Sequence, residues 1–187
     1  MTERDALDAA ENRARGELSL RSYEQGDEEG MAEMIAQTLR VSNRGDYPPD
    51  YLEEIAKSHS PAYFRERAQD SHFYVVLDGG RIIGCGGITG YRGSKRESYL
   101  ISVFVLPEYQ GKGIGRRIME VLERDEFFTR ARRTELGASL TAVGFYEKLG
   151  YGFKDGVTSP DSRGVVVMEK FGGRHAAQNG GGEPPEA

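Results

Sequence analysis

The stretch VFVLPEYQGKGIGRR (Val103–Arg117) passes from an apolar run through a proline into three alternating glycines, Gly111, Gly113 and Gly115. Lys112 sits between them, and Arg116 and Arg117 follow. Glycine costs conformational entropy, so three in alternate positions point to something that approaches the backbone too closely for a Cβ. The run before the loop reads as a strand. The residues after it read as a helix, with Ile114, Ile118, Val121 and Leu122 at i, i+4, i+7 and i+8. A loop of free N–H groups that opens a helix is an anion site, strengthened by the positive end of the helix dipole. The fold turns on this strand–loop–helix unit, and the function on which anion it takes.

The rest of the chain narrows the classes. Its 187 residues are 37% apolar and 29% charged, which suits one soluble domain with a real core. No run approaches the ~18 apolar residues of a membrane span, and residues 1–16 carry no apolar signal segment. Cys85 is the only cysteine, so no internal disulfide forms, and a reducing cytoplasm is the expected compartment. The net charge of −5 resides in residues 27–70, with ten Asp/Glu against five Lys/Arg; the remainder is balanced. A basic footprint for nucleic acid is therefore missing. His59, His72 and His175 lie far apart with no cysteine near them, which argues against a zinc or iron site.

Along the chain, residues 1–16 form a charged, Ala-rich arm, peripheral or disordered, and residues 172–187 a Gly/Pro-rich tail that cannot bury enough to order itself. Between them, residues 17–171 read as a single domain. Strand patterns cover 17–23, 72–77, 81–88, 97–106, 133–139, 151–154 and 165–171, and Asp78-Gly79-Gly80 marks a hairpin. Helical spacing covers 27–39, with Asp27 as N-cap, then a segment from about Asp50 that stops before Pro61. Two more helices run from Gly113 to Phe128 and from Leu140 to Leu149, the latter ended by Gly150. The order β-α-α-β-β-β-α-β-α-β-β describes an α/β sandwich of the α+β type with only part of its sheet parallel.

Two familiar phosphate loops do not fit. A Walker A loop needs Lys after the second glycine and then Ser or Thr for Mg²⁺; a dinucleotide fingerprint needs G-x-G-x-x-G near the start of a βαβ unit. The loop QGKGIG, placed between strand and helix, instead resembles the pyrophosphate loop of the GNAT superfamily of N-acetyltransferases, whose Q/R-x-x-G-x-G/A signature is matched by Gln110, Gly113 and Gly115. The stretch ASLTAVGFYEKLGYGF (138–153) is similar to the second motif of that family, a helix carrying a Tyr before a Gly-aromatic turn. Gly115 and Tyr146 are 31 residues apart, room for one helix and one strand. The likeness spans residues 17–171. It implies a mixed sheet of six or seven strands with a β-bulge splay and about four helices. It also implies acetyl-CoA as cosubstrate and no metal.

The resemblance carries roles with it. Amides of Gly111, Lys112, Gly113, Ile114, Gly115 and Arg116 would face the pyrophosphate, with Lys112 and Arg116 adding charge and Gln110 completing the signature. Val103, Phe104 and Val105 would splay from their neighbour and bind the pantetheine arm through backbone groups, one N–H polarising the thioester carbonyl. The same three residues read equally well as plain core strand. Ser139 stands where many relatives have Asn, so a direct contact there is in doubt, while Ser still caps the next helix. Tyr146 is implied as the acid for the leaving thiolate, although with Ala142, Phe145 and Leu149 it also reads as a core stripe. Glu97 and Glu135 are candidates for the base, and equally ordinary edge residues. The acidic 27–70 segment, implied as one wall of the acceptor site, favours a cationic amine or merely keeps the protein soluble. The function implied is N-acetylation of a primary amine; the alternative is an acyl-CoA-binding sensor without catalysis. Homodimers are frequent in the family, and no interface is legible in this chain.

Overall fold

The computed structural model describes residues 18–172; the expected arm (1–16) and the expected tail beyond Gly172 lie outside them. β1 (Ser19–Ser22) leads into α1 (Glu28–Ser42), α2 (Pro49–Ser58) and α3 (Pro61–Arg67). The β2–β3 hairpin (Ser71–Asp78, Arg81–Gly90) follows, then β4 (Glu97–Val105), α4 (Ile114–Leu122) and α5 (Glu126–Thr129). β5 (Arg133–Ala138), α6 (Val143–Glu147), β6 (Gly152–Phe153) and β7 (Val166–Phe171) complete the chain. All seven strands join one mixed sheet in the order β1-β2-β3-β4-β5-β7-β6, antiparallel throughout except for the β4–β5 pair. The expected seven-stranded α/β sheet is present.

The β2–β3 turn uses Gly79 and Gly80 at φ 56° and 86°, as a tight two-residue hairpin requires. α4 buries Ile114, Ile118, Met119 and Leu122; Met119 takes the place expected for Val121, which is half-buried. The glycines of β3 let α4 lie close: a Cβ on Gly86 would come within 2.6 Å of Ile118 and 2.9 Å of Leu122.

Helix boundaries depart from the sequence pattern in two places. The helix expected from Gly113 to Phe128 breaks at Asp125. Its buried carboxylate accepts from the Phe127 N–H and also from Tyr74 and His72 of β2, so a tertiary polar cluster overrides the period. Pro61 does more than stop α2; it opens α3 as first-turn proline, with the Ser60 hydroxyl accepting from the Tyr63 N–H. The four helices expected are thus joined by two short ones. Asp27 occupies the N-cap position of α1 without capping it, because its carboxylate is held by both Arg21 guanidinium nitrogens and the Glu24 N–H.

The sheet splits where the site forms. β4 and β5 pair only over Glu97–Tyr99 and Arg133–Glu135, and from Leu100 and Leu136 onward they share no ladder. On its other side β4 carries a bulge: Cys85 faces Phe104 and Gly87 faces Ile101, which leaves Ser102 and Val103 opposite Gly86. Ser102 adopts φ 51°, a left-handed conformation that costs a serine on the order of 1–2 kcal/mol. The bulge bends β4 away from β5 and leaves an open strand edge.

Candidate active site

Gly111 and Gly113 adopt φ 73° and 83°, and a Cβ on either would meet only open space. Their glycines are therefore required by backbone conformation, not by crowding. Gly115 has another reason: its Cβ would approach the Phe145 ring at 3.2 Å. The Gln110 amide donates at 2.9 Å to the Val105 carbonyl and at 2.9 Å to the Ser42 hydroxyl, pinning the loop to the end of β4 and the end of α1. With the loop so held, the first amides of α4 point outward at the positive end of the helix dipole.

A groove of about 570 Å³ runs from this loop along the splayed edge of β4. Of the residues singled out in the sequence, Val103, Phe104, Val105, Gln110, Gly111, Gly113, Gly115, Arg116, Ser139 and Tyr146 line it. Two do not. The Lys112 ammonium lies over the Tyr109 ring, 5.4 Å from its centre, and the Ile114 side chain is buried in the core, so each offers the groove its amide at most. Ser139 lines the groove, but its hydroxyl caps nothing; the helix start is held instead by the Asp46 carboxylate, which accepts from the Thr141 hydroxyl at 2.8 Å.

A second cavity, of about 270 Å³, adjoins the groove. Asn43, Val103, Phe104, Ser139, Ala142 and Tyr146 line both. Tyr146 is 6% exposed and its ring packs edge-on against Phe145 and Tyr151, centroids 5.1 and 5.9 Å away. Burial raises its phenol above the ordinary tyrosine range, which keeps it protonated at neutral pH. Among the described residues the one fully buried side-chain polar atom without a partner is the Ser102 hydroxyl. Among the described residues none hydrogen-bonds the Tyr146 hydroxyl, and the residue lines both cavities.

The second cavity is walled by Tyr47, Ile55, His59 and Tyr63 from the segment between β1 and β2, and by Tyr99 and Leu136 across the split. The position of that wall agrees with the sequence reading; its chemistry does not. Asp46, Asp50, Glu53 and Glu54 are absent from the lining. Glu53 is paired with Arg40 at 2.6 Å, and Asp46 is tied to Thr141. The wall is aromatic and apolar, and the Tyr47 hydroxyl is occupied by the Gly164 carbonyl at 2.9 Å. Glu97 and Glu135 are also outside both cavities. Glu135 is bound to Lys154 at 2.7 Å and Arg133 at 3.3 Å, Glu97 to Arg133 at 3.2 Å, and Arg133 also to Glu169 of β7 at 3.0 Å, an ion-pair network that holds β4, β5 and β7 together.

Sequence reasoning missed His59, Tyr63 and Tyr99. The signal for His59 and Tyr63 was aromatic character near the Ser60-Pro61 break, Tyr99 was one residue of a strand pattern, and nothing in the spacing tells that separate strands and helices bring them to one cavity. Among the described residues no group of three or more His, Cys, Asp or Glu is placed to hold a metal, and no helix is long and apolar enough to cross a membrane.

An anion-suited loop at a helix start, a bent strand with a free edge and a buried tyrosine between two cavities are thus brought together in one groove. The comparisons with known proteins agree. The model of the acetyltransferase (GNAT) family matches residues 32–151. The uncharacterized N-acetyltransferase YafP of Escherichia coli (strain K12) is 22% identical over 134 residues, covering 72% of this chain and 81% of that one. Among solved structures, the PaiA N-acetyltransferase of Thermoplasma acidophilum in complex with coenzyme A superposes with a TM-score of 0.71 at 19% identity, over 83% of this chain and 99% of that one. A GCN5-related N-acetyltransferase of Rhodopseudomonas palustris gives 0.66 at 22% identity, over 82% and 94%. The chain belongs to the GNAT family of acetyltransferases, enzymes whose acyl donor is acetyl-CoA.

Proposed function

We propose that the protein moves an acetyl group from acetyl-CoA to a primary amine by direct transfer in a ternary complex. The observation that carries this is the meeting of the two cavities at Phe104 and Tyr146. The residues fit the donor. Amides from Gly111 to Arg116 and the Arg116 guanidinium suit its pyrophosphate, and the unpaired edge of Val103–Val105 suits an extended amide-bearing arm laid alongside as an extra strand. A backbone N–H of that edge would polarise the thioester carbonyl. Tyr146 supplies the proton to the leaving sulfur. An ordinary thiol titrates near ~8.5, yet dry surroundings raise thiols too: burial pushes Cys85 up to about 12. Burial therefore moves the phenol and a buried leaving thiol in the same direction, so the two shifts offset one another.

The acceptor, in this reading, is an amine bearing an uncharged, flat or apolar substituent, because the cavity offers aromatic faces and no carboxylate. The test is release of CoA thiol with a matched panel of 2-phenylethylamine, spermidine, glucosamine and lysine at low and high salt. 2-Phenylethylamine should lead in kcat/KM with little salt dependence. A lead for spermidine that shrinks with salt would restore the acidic segment as the selecting wall. Tight acetyl-CoA binding with no turnover of any amine would favour the sensor reading.

A further inference from the structure

The transfer needs a base, and neither carboxylate marked in the sequence reaches the acceptor cavity. A lysine-like amine at pH 7.4 lies ~3 units below its pKa, so removing its proton costs ~4 kcal/mol before any bond forms. We propose that His59 is the general base of the reaction, its Nε2 taking the proton that the acceptor nitrogen sheds. This rests on the acetyl-transfer reading above.

His59 ends α2 at the corner before α3, its N–H donating to the Ile55 and Ala56 carbonyls at 3.3 and 3.1 Å. Its Nδ1 lies 2.9 Å from the Ile55 carbonyl oxygen. A carbonyl can only accept, so the proton sits on Nδ1. The Ser58 hydroxyl, 3.3 Å from Nδ1, itself donates to that carbonyl at 2.7 Å, so it leaves the assignment unchanged. Nε2 therefore carries the lone pair, and no described residue hydrogen-bonds it. The ring is clamped between Tyr63, centroid 5.4 Å away, and Phe104, edge-on at 5.6 Å. Phe104 is the residue of the splayed edge that lines both groove and cavity.

The surroundings favour the neutral ring. Burial lowers the imidazole below its ordinary value and outweighs the opposing bond to Ile55. Facing the same cavity are the phenols of Tyr47, Tyr63, Tyr99 and Tyr146. Burial pushes Tyr47 up to about 12 and raises Tyr99 and Tyr146. The cation that acts on this wall, Arg163, acts on Tyr99; on its own helix Glu54 and Lys57 are exposed. No described carboxylate lines the cavity to hold an imidazolium. His59 is thus a base at neutral pH whose protonated form is short-lived, as a proton relay requires.

The balance is as follows. The amine nitrogen bonds to the acetyl carbon as the carbon–sulfur bond breaks, and the sulfur leaves with its electron pair. Tyr146 gives its phenolic proton to sulfur. The nitrogen gives one proton to His59 Nε2, and that proton returns through solvent to the Tyr146 phenolate. An acceptor that binds as ammonium first gives one proton to His59 Nε2, which passes it to solvent and is neutral again before the neutral amine attacks.

The experiment pairs His59→Gln, which keeps size and polarity but takes no proton at pH 7, with acetylation of 2-phenylethylamine from pH 5.5 to 9.5. Acetyl-CoA affinity should stay within about 3-fold, and kcat should fall ~10²–10³ at pH 7.5. The loss should narrow towards pH 9.5, where free amine is abundant. In the unaltered protein, ¹⁵N spectra of labelled histidine should show His59 as the neutral Nδ1–H tautomer at pH 7. A variant that keeps kcat across this range, or a ring protonated on Nε2 at pH 7, overturns the assignment. If the unaltered protein does not acetylate 2-phenylethylamine, the acceptor reading falls first and the base falls with it; if it does and His59→Gln is fully active, only the base falls.

Discussion

Tyr146→Phe separates packing from chemistry. The substitution keeps the ring, hence the edge-on contacts to Phe145 and Tyr151 at 5.1 and 5.9 Å, and removes one oxygen. That oxygen has no hydrogen-bond partner among the described residues, so its loss orphans none of them. A partnered buried hydroxyl is worth about 0.5–1.5 kcal/mol net; here the stability change should lie below about 0.5 kcal/mol, of either sign. The acetyl-CoA groove keeps its shape, and affinity by calorimetry should hold within about 2-fold. Turnover has no such protection. A positioned acid contributes ~10²–10⁴, which at 1.36 kcal/mol per tenfold is ~2.7–5.4 kcal/mol of barrier, several times any stability effect. Because burial raises the Tyr146 phenol, the unaltered protein should show no alkaline loss of kcat from this group up to about pH 10. Thiol release with 2-phenylethylamine, alongside thermal unfolding, reads all of this. A variant with kcat within 3-fold of the unaltered chain would falsify the acid role and leave Tyr146 as core.

Gly113→Val should weaken acetyl-CoA binding by at least ~10-fold while the fold survives: the strain of a side chain at φ 83°, ~1–2 kcal/mol, is relieved by turning the amides off target, and unchanged affinity in calorimetry would remove the loop from the donor site. Gly115→Val meets Phe145 instead, so it should lower kcat more than affinity, and the reverse pattern would contradict that packing. Glu135→Gln should cost about 1–3 kcal/mol of stability, because Lys154 and Arg133 lose a largely buried partner, yet kcat measured well below the melting point should stay within about 2-fold. A 10²-fold loss would return Glu135 to the mechanism.

What was legible in the sequence follows from how each half of the site is built. The groove takes eight of its eighteen lining residues from one contiguous stretch, Val103–Arg116, and the donor chemistry proposed for that stretch is main-chain. Backbone demands show in sequence as glycine, so the loop could be found, although the reason assigned to Gly113 was crowding where the structure shows a left-handed turn. The splay was implied by likeness alone; no residue of β4 announces that the ladder to β5 ends at Tyr99. The second cavity is made of side chains from separate stretches between Leu39 and Val165, so the net charge of the 27–70 segment does not describe its lining. The acidic residues of the 27–70 segment are real, but Arg40 and Thr141 occupy two of them outside the cavity. Pro61 and Asp125 failed for a related reason: Pro ends one helix and starts the next equally well, and the partners of Asp125 come from a strand about 50 residues away in sequence.

This division also indicates where selectivity resides. Donor recognition through amides leaves few mutable handles, since only the glycines and Gln110 set the loop's shape, and any change there acts on every substrate alike. In the proposed reading acceptor recognition rests on α2, α3 and the α1–α2 loop, which bring Tyr47, Ile55, His59 and Tyr63 to the cavity. That wall is fastened to the opposite side of the split by bonds only side chains could make, among them Tyr47 to the Gly164 carbonyl and Asp46 to Thr141 at the start of the Tyr146 helix. A wall bonded to the segment carrying the acid fixes the acceptor relative to the proton donor, and orientation of that kind is worth several kcal/mol of barrier in a two-substrate transfer. Substitutions in this wall can exchange one amine for another without touching the donor loop, whereas cutting either bond should slow every acceptor.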